Sequence, residues 1–107
     1  MNVFKRWDDI PDDFEGQCYI EKSQDEYWLI KKRISHREDG PAIIYSHGTQ
    51  VWYQNNLIHR LDGPVMIFAK NSDRNVFYIH NVSYNEEKFW NHPLVIEHKL
   101  NKILGIK

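Results

Sequence analysis

The chain has 107 residues, a net charge of −1, and four Trp, six Tyr and five Phe. This length supports one domain with a modest core, and so many aromatic side chains exclude an intrinsically disordered chain. A near-neutral net charge produces no long-range attraction to nucleic acid or to anionic membranes.

Cys18 is the single cysteine, which excludes a disulfide within the chain and a zinc site built on cysteine pairs. No apolar run reaches the length of a signal-peptide core or of a membrane span. We therefore expect a soluble protein of a reducing, cytoplasmic compartment, with no membrane contact.

Residues 1–25 are predicted to form an N-terminal arm and a first strand. Trp7, Ile10 and Phe14 stand among acidic residues, and we expect them to dock on the core, with one helical turn near Pro11–Glu15. The first 26 residues carry eight acidic and three basic side chains, a balance of −5. The first strand is predicted at 17–20.

Residues 26–82 are predicted to form β-hairpin repeats, because aromatic and β-branched runs alternate with turn residues. Asn55-Asn56 and His80-Asn81 supply two tight turns, and a polar loop is expected at 70–74. The strands are predicted at 26–32, 42–45, 50–54, 65–69 and 75–79.

A six-residue motif, HRxDGP, occurs twice in this segment. His36–Pro41 and His59–Pro64 match at five of six letters with an offset of 23, and Trp52-Tyr53 corresponds to Phe77-Tyr78 at an offset of 25. Such a recurrence indicates stacked hairpins, because one hairpin cannot bury its own apolar face.

Residues 83–105 are predicted to form two C-terminal helices. Ser83 with Glu86 fits a capping box for a helix ending near Trp90. Pro93 can begin a second helix capped by Asn91 or His92 and stopped by Gly105. Its apolar positions share one stripe, which comprises Ile96, Leu100, Ile103 and Leu104.

The motif has a structural and a chemical interpretation. As a scaffold, Asp accepts nearby backbone amides, Gly supplies an unusual φ, and Pro fixes the entry into the next strand. His and Arg can then reach back to that Asp or to free backbone carbonyls. Repetition favours this interpretation, since no unique nucleophile accompanies either copy. The residues predicted to form structural turns are His36, Asp39, Gly40, Pro41, His59, Asp62, Gly63 and Pro64.

The chemical alternative is that His36 or His59 acts as a base, or that the arginines bind phosphate. We predict no catalytic residue and no cofactor, because the third unit replaces the motif with Ser83-Tyr84-Asn85. Six histidines suggest metal binding, but none has a zinc-site spacing, so no metal is predicted. Nucleic-acid binding through Lys31–Arg33 and the motif arginines is the alternative function.

The predicted strands are apolar on both faces, unlike a sheet with one wet face. The helices can cover one face, while the other needs the arm, a second copy or a partner protein. Aromatic residues and arginine dominate such contacts. The partner-binding candidates are therefore Trp28, Trp52, Tyr53, Phe77, Tyr78, Arg37 and Arg60.

Residues 52–65, WYQNNLIHRLDGPV, resemble the WYxNGxxHRxDGPA unit of a MORN-like repeat variant. Such units recur in small proteins of tailed phages and in bacterial proteins. The terminal segments at 7–14 and 89–96 are similar to those of small T-even-type phage proteins. The resemblance implies an antiparallel hairpin meander and a phage origin, and it implies no catalytic residue.

We therefore predict a single α+β domain over 1–107, an antiparallel meander of MORN-like repeats with two C-terminal helices packed on one face. The predicted function is a non-enzymatic protein-interaction module of a small phage protein. Its partner would be a host protein, such as an anti-phage defence component, which it inhibits or redirects. The uncovered sheet face also predicts a homo-oligomer.

Overall fold

The computed structural model describes residues 1–70 and 74–105, so the predicted loop at 70–74 lies mostly outside the described residues. Short strands dominate the described part, with two helices at its end and a 3-10 turn at Trp7–Asp9. The strands are β1 (Asn2–Phe4), β2 (Gly16–Ile20), β3 (Asp25–Lys31), β4 (Ile34–Ser35), β5 (Ile43–Ile44), β6 (Gln50–Val51), β7 (Tyr53–Gln54), β8 (Leu57–Ile58), β9 (Met66–Ile67), β10 (Phe77–Ile79) and β11 (Val82–Tyr84), and the helices are α1 (Glu86–Trp90) and α2 (Pro93–Leu104).

The main sheet has the order β1-β2-β3-β5-β6-β9, with β4 also paired to β3. All of its pairs are antiparallel except β1–β2, which is parallel. The hairpins β7–β8 and β10–β11 form two further two-stranded sheets. The α+β class is confirmed, whereas the single antiparallel meander is replaced by one mixed sheet and separate hairpins.

The N-terminal arm docks on the sheet as predicted. Ile10 is buried with Cys18, Ile20 and Leu29 in one core cluster, and the half-buried aromatics around it include Trp7. The helical turn lies at Trp7–Asp9 rather than near Pro11. The sequence analysis missed β1, which the arm contributes to the sheet edge.

The two helices cover the end of the hairpin stack. Phe89 of α1 and Val95 of α2 are buried against Phe77 and Ile79 of β10 in a second core cluster. The predicted packing on a face of the main sheet is therefore wrong in detail, because the helices pack on the last hairpin.

The apolar stripe of α2 faces away from the protein. Ile96, Leu100, Ile103 and Leu104 are all exposed, while Val95 is only 1% exposed. The opposite face packs on the fold, where Val95 joins the second core cluster and Lys102 Nζ lies 3.7 Å from Asp62 Oδ2 of the second motif.

The helix ends follow from local hydrogen bonds. Asn85, not Ser83, caps α1, because its Oδ1 accepts the Lys88 amide at 2.8 Å while Ser83 belongs to β11. His92 caps α2 through Nδ1, which accepts the Leu94 amide at 3.1 Å. Gly105 ends α2 at φ 71°, as predicted.

The fold is elongated. Its radius of gyration is 15.1 Å and its longest extent is 43 Å, whereas a compact domain of this length has a radius of gyration of about 13 Å. The two core clusters lie in different parts of the chain. The first surrounds β2 and β3, and the second surrounds β10 and the two helices.

The last hairpin offers a matched test of this packing. Ile79 and Val82 are direct cross-strand partners, but Ile79 is 3% exposed and Val82 is 53% exposed. We expect Ile79→Ala to lower the free energy of unfolding by about 2–5 kcal/mol and Val82→Ala by less than about 0.5 kcal/mol. Urea titration measures both, and equal losses would contradict the assignment of the second core.

Candidate functional site

Both copies of the motif form loops between a hairpin and the strand that follows it. Each loop begins with a histidine whose Nδ1 accepts a backbone amide from the turn of the next hairpin. His36 Nδ1 accepts the Asn55 amide at 2.9 Å, and His59 Nδ1 accepts the His80 amide at 3.0 Å. In each case the imidazole joins two successive repeat units.

The turns that donate these amides share a special backbone. Asn55 and Asn56 have φ values of 48° and 65°, and His80 and Asn81 have 46° and 71°. Positive φ at both central residues is the signature of a type I′ turn, which matches the twist of hairpin strands. The second residue of each turn forms a further bond to the preceding hairpin. Asn56 Oδ1 accepts the Ser35 amide, and Asn81 Oδ1 accepts the Ile58 amide.

The arginine of each motif is held on three sides. Arg37 Nε donates to Asp39 at 2.8 Å, Nη1 donates to the Pro41 carbonyl at 3.2 Å, and the guanidinium stacks 4.0 Å from the Trp28 ring centre. Such a stack adds a cation–π attraction to the hydrogen bonds.

The second arginine repeats this geometry. Arg60 Nε donates to Asp62 at 2.7 Å, Nη1 donates to the Pro64 carbonyl at 2.9 Å, and the guanidinium lies 4.0 Å from the Trp52 ring centre. The two copies therefore have equivalent contacts at His, Arg, Asp and Pro.

The glycine of each motif makes room for the guanidinium. A Cβ on Gly40 would lie 2.8 Å from Arg37 Cζ, and a Cβ on Gly63 would lie 3.0 Å from Arg60 Cζ. A side chain at either position would therefore crowd the stacked guanidinium, so glycine serves here for close approach rather than for a positive φ.

The aspartates remain ionised well below neutrality. The Arg37 hydrogen bond lowers the pKa of Asp39. Burial alone would raise the pKa of Asp62, but the hydrogen bond and charge of Arg60, with a contribution from Lys102, lower it instead. Both pairs thus stay charged and closed at physiological pH.

The second motif is the more enclosed of the two. His59 is 5% exposed and its ring stacks on His80 with centroids 4.1 Å apart. Burial, together with His80 and His98, lowers the pKa of His59 to about 4. A neutral His59 is also what the amide of His80 requires, since only an unprotonated Nδ1 can accept it.

An open cleft of about 650 Å³ lies between the two motif loops and α2. The first loop contributes acidic groups to one rim, and α2 contributes Lys102 and His98 to the other. The remaining lining comes from the second motif and the strands before it. The lining residues are Glu38, Asp39, Gly40, Trp52, Gln54, His59, Arg60, Leu61, Asp62, His98 and Lys102.

The structure separates the predicted partner-binding residues. Trp52 and Arg60 line the cleft, whereas Trp28 and Arg37 form the equivalent stack one repeat earlier. Phe77 was wrongly predicted as an anchor, because it is 4% exposed and packs on Phe89.

Tyr53 on β7 and Tyr78 on β10 are half-buried and follow the first and the second motif, respectively. Their carbonyls accept the amides of Arg37 and Arg60, both at 3.2 Å. They therefore help to place the motif loops.

Sequence reasoning missed the contribution of α2 to the cleft. His98 and Lys102 recur at i and i+4, so they share a helix face, but only the docked position of α2 shows which surface they reach. The i+4 spacing is the one signal that could have paired them.

The basic turn Lys31–Arg33 lies against the acidic arm. Lys32 Nζ donates to the Asp8 carbonyl at 3.3 Å, and the Lys32 amide donates to the Asp12 carbonyl at 3.4 Å. Acidic side chains beside this turn weaken its attraction for a phosphate backbone.

Within residues 1–70 and 74–105, no group of three or more His, Cys, Asp or Glu side chains is placed to hold a metal ion. Among the same residues, no helix has the length and apolar character to cross a membrane.

No protein-family model matches the chain, and neither curated proteins nor solved structures give a significant match. The resemblance to MORN-like repeats therefore stays a prediction.

The arginine stack predicts a specific coupling between two positions. Gly63→Ala should destabilise the protein by about 1–3 kcal/mol, because the new methyl group displaces Arg60 from Trp52. In an Arg60→Ala background the same change should be nearly neutral, since the obstacle is gone. Urea unfolding of the four proteins measures the coupling, and additive effects would contradict this account.

The enclosed imidazole predicts a loss of stability in mild acid. The unfolded chain binds a proton near pH 6.5, whereas folded His59 binds one only near pH 4. The contribution of His59 is therefore complete above pH 6.5 and is lost as the pH falls through this window, by about 3 kcal/mol in all.

Chemical unfolding at pH 7 and pH 5 tests this dependence. His59→Gln should remove most of it, while His36→Gln, at the equivalent position of the first motif, should retain it. Equal unfolding free energies of the wild type at the two pH values would disprove the assignment.

Proposed function

We propose that the chain is a non-enzymatic protein-interaction module that holds another protein in the cleft between the two motif loops. The observation that carries this proposal is the equivalence of the two HRxDGP loops. A repeated set of identical contacts is typical of a scaffold, whereas catalysis needs one uniquely arranged set of groups.

The polar groups of the motif are already engaged inside the fold. Each histidine uses Nδ1 for a backbone amide, and each arginine donates to a carboxylate and a carbonyl. The scaffold thereby presents the cleft, which has Glu38 and Asp39 on the rim of the first loop and Lys102, beside Asp62, on the rim of α2. Opposite charges on the two rims favour a partner segment that carries both signs.

The sequence resemblance to tailed-phage proteins supports a phage origin for the chain. A phage protein of this kind would bind and inhibit or redirect a host protein, such as an anti-phage defence component. The placement of Lys31–Arg33 beside the acidic arm makes nucleic acid the weaker alternative.

Exposed charges on the rims provide the test. Glu38 and Lys102 side chains are 82% and 70% exposed, so Glu38→Lys and Lys102→Gln, which avoids a second carboxylate beside Asp62, should leave stability within about 1 kcal/mol of the wild type. We expect both variants to lose a specific partner captured from host-cell lysate and identified by mass spectrometry.

Lys31→Glu is the matched control, because it reverses an exposed charge outside the cleft. It should retain the partner. Failure of the wild type to capture any specific protein, or retention of the partner by both rim variants, would overturn the proposal.

A further inference from the structure

Among the described residues, the outer face of α2 is an exposed apolar surface. Ile96, Leu100 and Ile103 follow a four-then-three spacing, which places them in line as the core positions of a helix pair. Leu104 extends the same stripe. The exposed fractions of the four residues are 44%, 52%, 73% and 67%.

The stripe is not needed to hold α2 in the fold. Val95 is buried in the second core, and Lys102 reaches Asp62 from the opposite side of the helix. Asn85, His92 and Gly105 already define the helix ends in this region. Large apolar side chains at four exposed positions are therefore available for a contact outside the described fold.

The size of the stripe fits a second copy of the chain. The four side chains expose on the order of 400 Å² of apolar surface, within the range at which the largest patch of a monomer often marks a contact site. Two such stripes, with the flanking Glu97 and Lys99, bury about 1,000 Å² in total, the lower end for a specific interface. Interfaces at this end of the size range are often weak and transient, so we expect the dimer to form only at high protein concentration.

The N-terminal end of the hairpin stack is acidic and the α2 end is apolar, and this difference favours a two-fold dimer over a head-to-tail one. Stacked repeats usually end in polar caps. The N-terminal end has such a cap, since residues 1–26 carry a balance of −5. A head-to-tail contact would place the apolar stripe against these carboxylates and desolvate them.

A two-fold contact instead places the stripe against its own copy. Such a contact closes after two subunits and does not propagate into a filament. The net charge of −1 also gives little long-range repulsion between copies. We infer that two copies of the chain associate through a two-fold contact between the outer faces of their α2 helices.

This inference is independent of the proposed partner, because the cleft lies on the opposite side of α2 from the stripe. The purified protein alone is sufficient to test it. Sedimentation velocity of the wild type should show a monomer at low micromolar and a dimer at high micromolar concentration. A wild type that stays monomeric throughout overturns the inference.

Leu100→Glu introduces a negative charge near the centre of the stripe. In a two-fold dimer both copies carry this charge, so two carboxylates are buried at the same contact. We expect association to weaken by more than roughly tenfold. Val82→Glu is the control, since Val82 is 53% exposed but lies on β11. An unchanged dimer in Leu100→Glu, or an equal loss in Val82→Glu, contradicts the inference.

A second variant keeps the test valid should Leu100→Glu alter folding. Leu100→Cys places a thiol near the two-fold axis, and Cys18 is fully buried and does not interfere. Mild oxidation should give a disulfide-linked dimer of Leu100→Cys but not of Val82→Cys. Absence of the linked dimer at high micromolar concentration counts against the inference.

Discussion

Neighbouring hairpins of this protein are joined by a turn amide that donates to a histidine ring of the preceding unit. The same bond recurs at His36 with Asn55 and at His59 with His80. It demands a type I′ turn in the donor and an imidazole with an unprotonated Nδ1 in the acceptor. The arginine stack and its glycine then hold each motif loop against the strand that precedes it.

Because the joint is repeated, each hairpin unit is tied mainly to its neighbours, and the two ends of the chain can pack differently. The acidic arm closes the N-terminal end, and the two helices close the other. The proposed contacts with other molecules use two surfaces of the described structure, the charged cleft beside the motifs and the apolar outer face of α2. Both surfaces depend on α2. Its inner face contributes His98 and Lys102 to the cleft, and its outer face carries the exposed apolar stripe.

Local chemistry made much of this predictable from the sequence. The turns at Asn55-Asn56 and His80-Asn81, the cap at His92 and the stop at Gly105 each depend on the residues at the site itself. Long-range contacts were not predictable in this way. The parallel pairing of β1 with β2 and the outward direction of the α2 stripe are set by packing between distant segments.

The same limit applies to the candidate site. His36 and His59 carry the same motif letters, yet only His59 lies below a second imidazole and beside α2. Phe77 has the strand pattern of an anchor, but the helices that bury it come later in the chain. The letters of the motif predicted a turn with arginine bound to aspartate and to a carbonyl, whereas the histidine bond to the next hairpin and the surroundings of each copy required the structure.

Scalar coupling across the hydrogen bond tests the central claim most directly. In a ¹⁵N-labelled sample at pH 8, the account predicts two amide-to-imidazole ¹⁵N–¹⁵N couplings, from Asn55 to His36 Nδ1 and from His80 to His59 Nδ1. Both rings should be the Nε2–H tautomer. Absence of both couplings, or a proton on Nδ1 of either histidine, would contradict the repeated joint on which the fold is built.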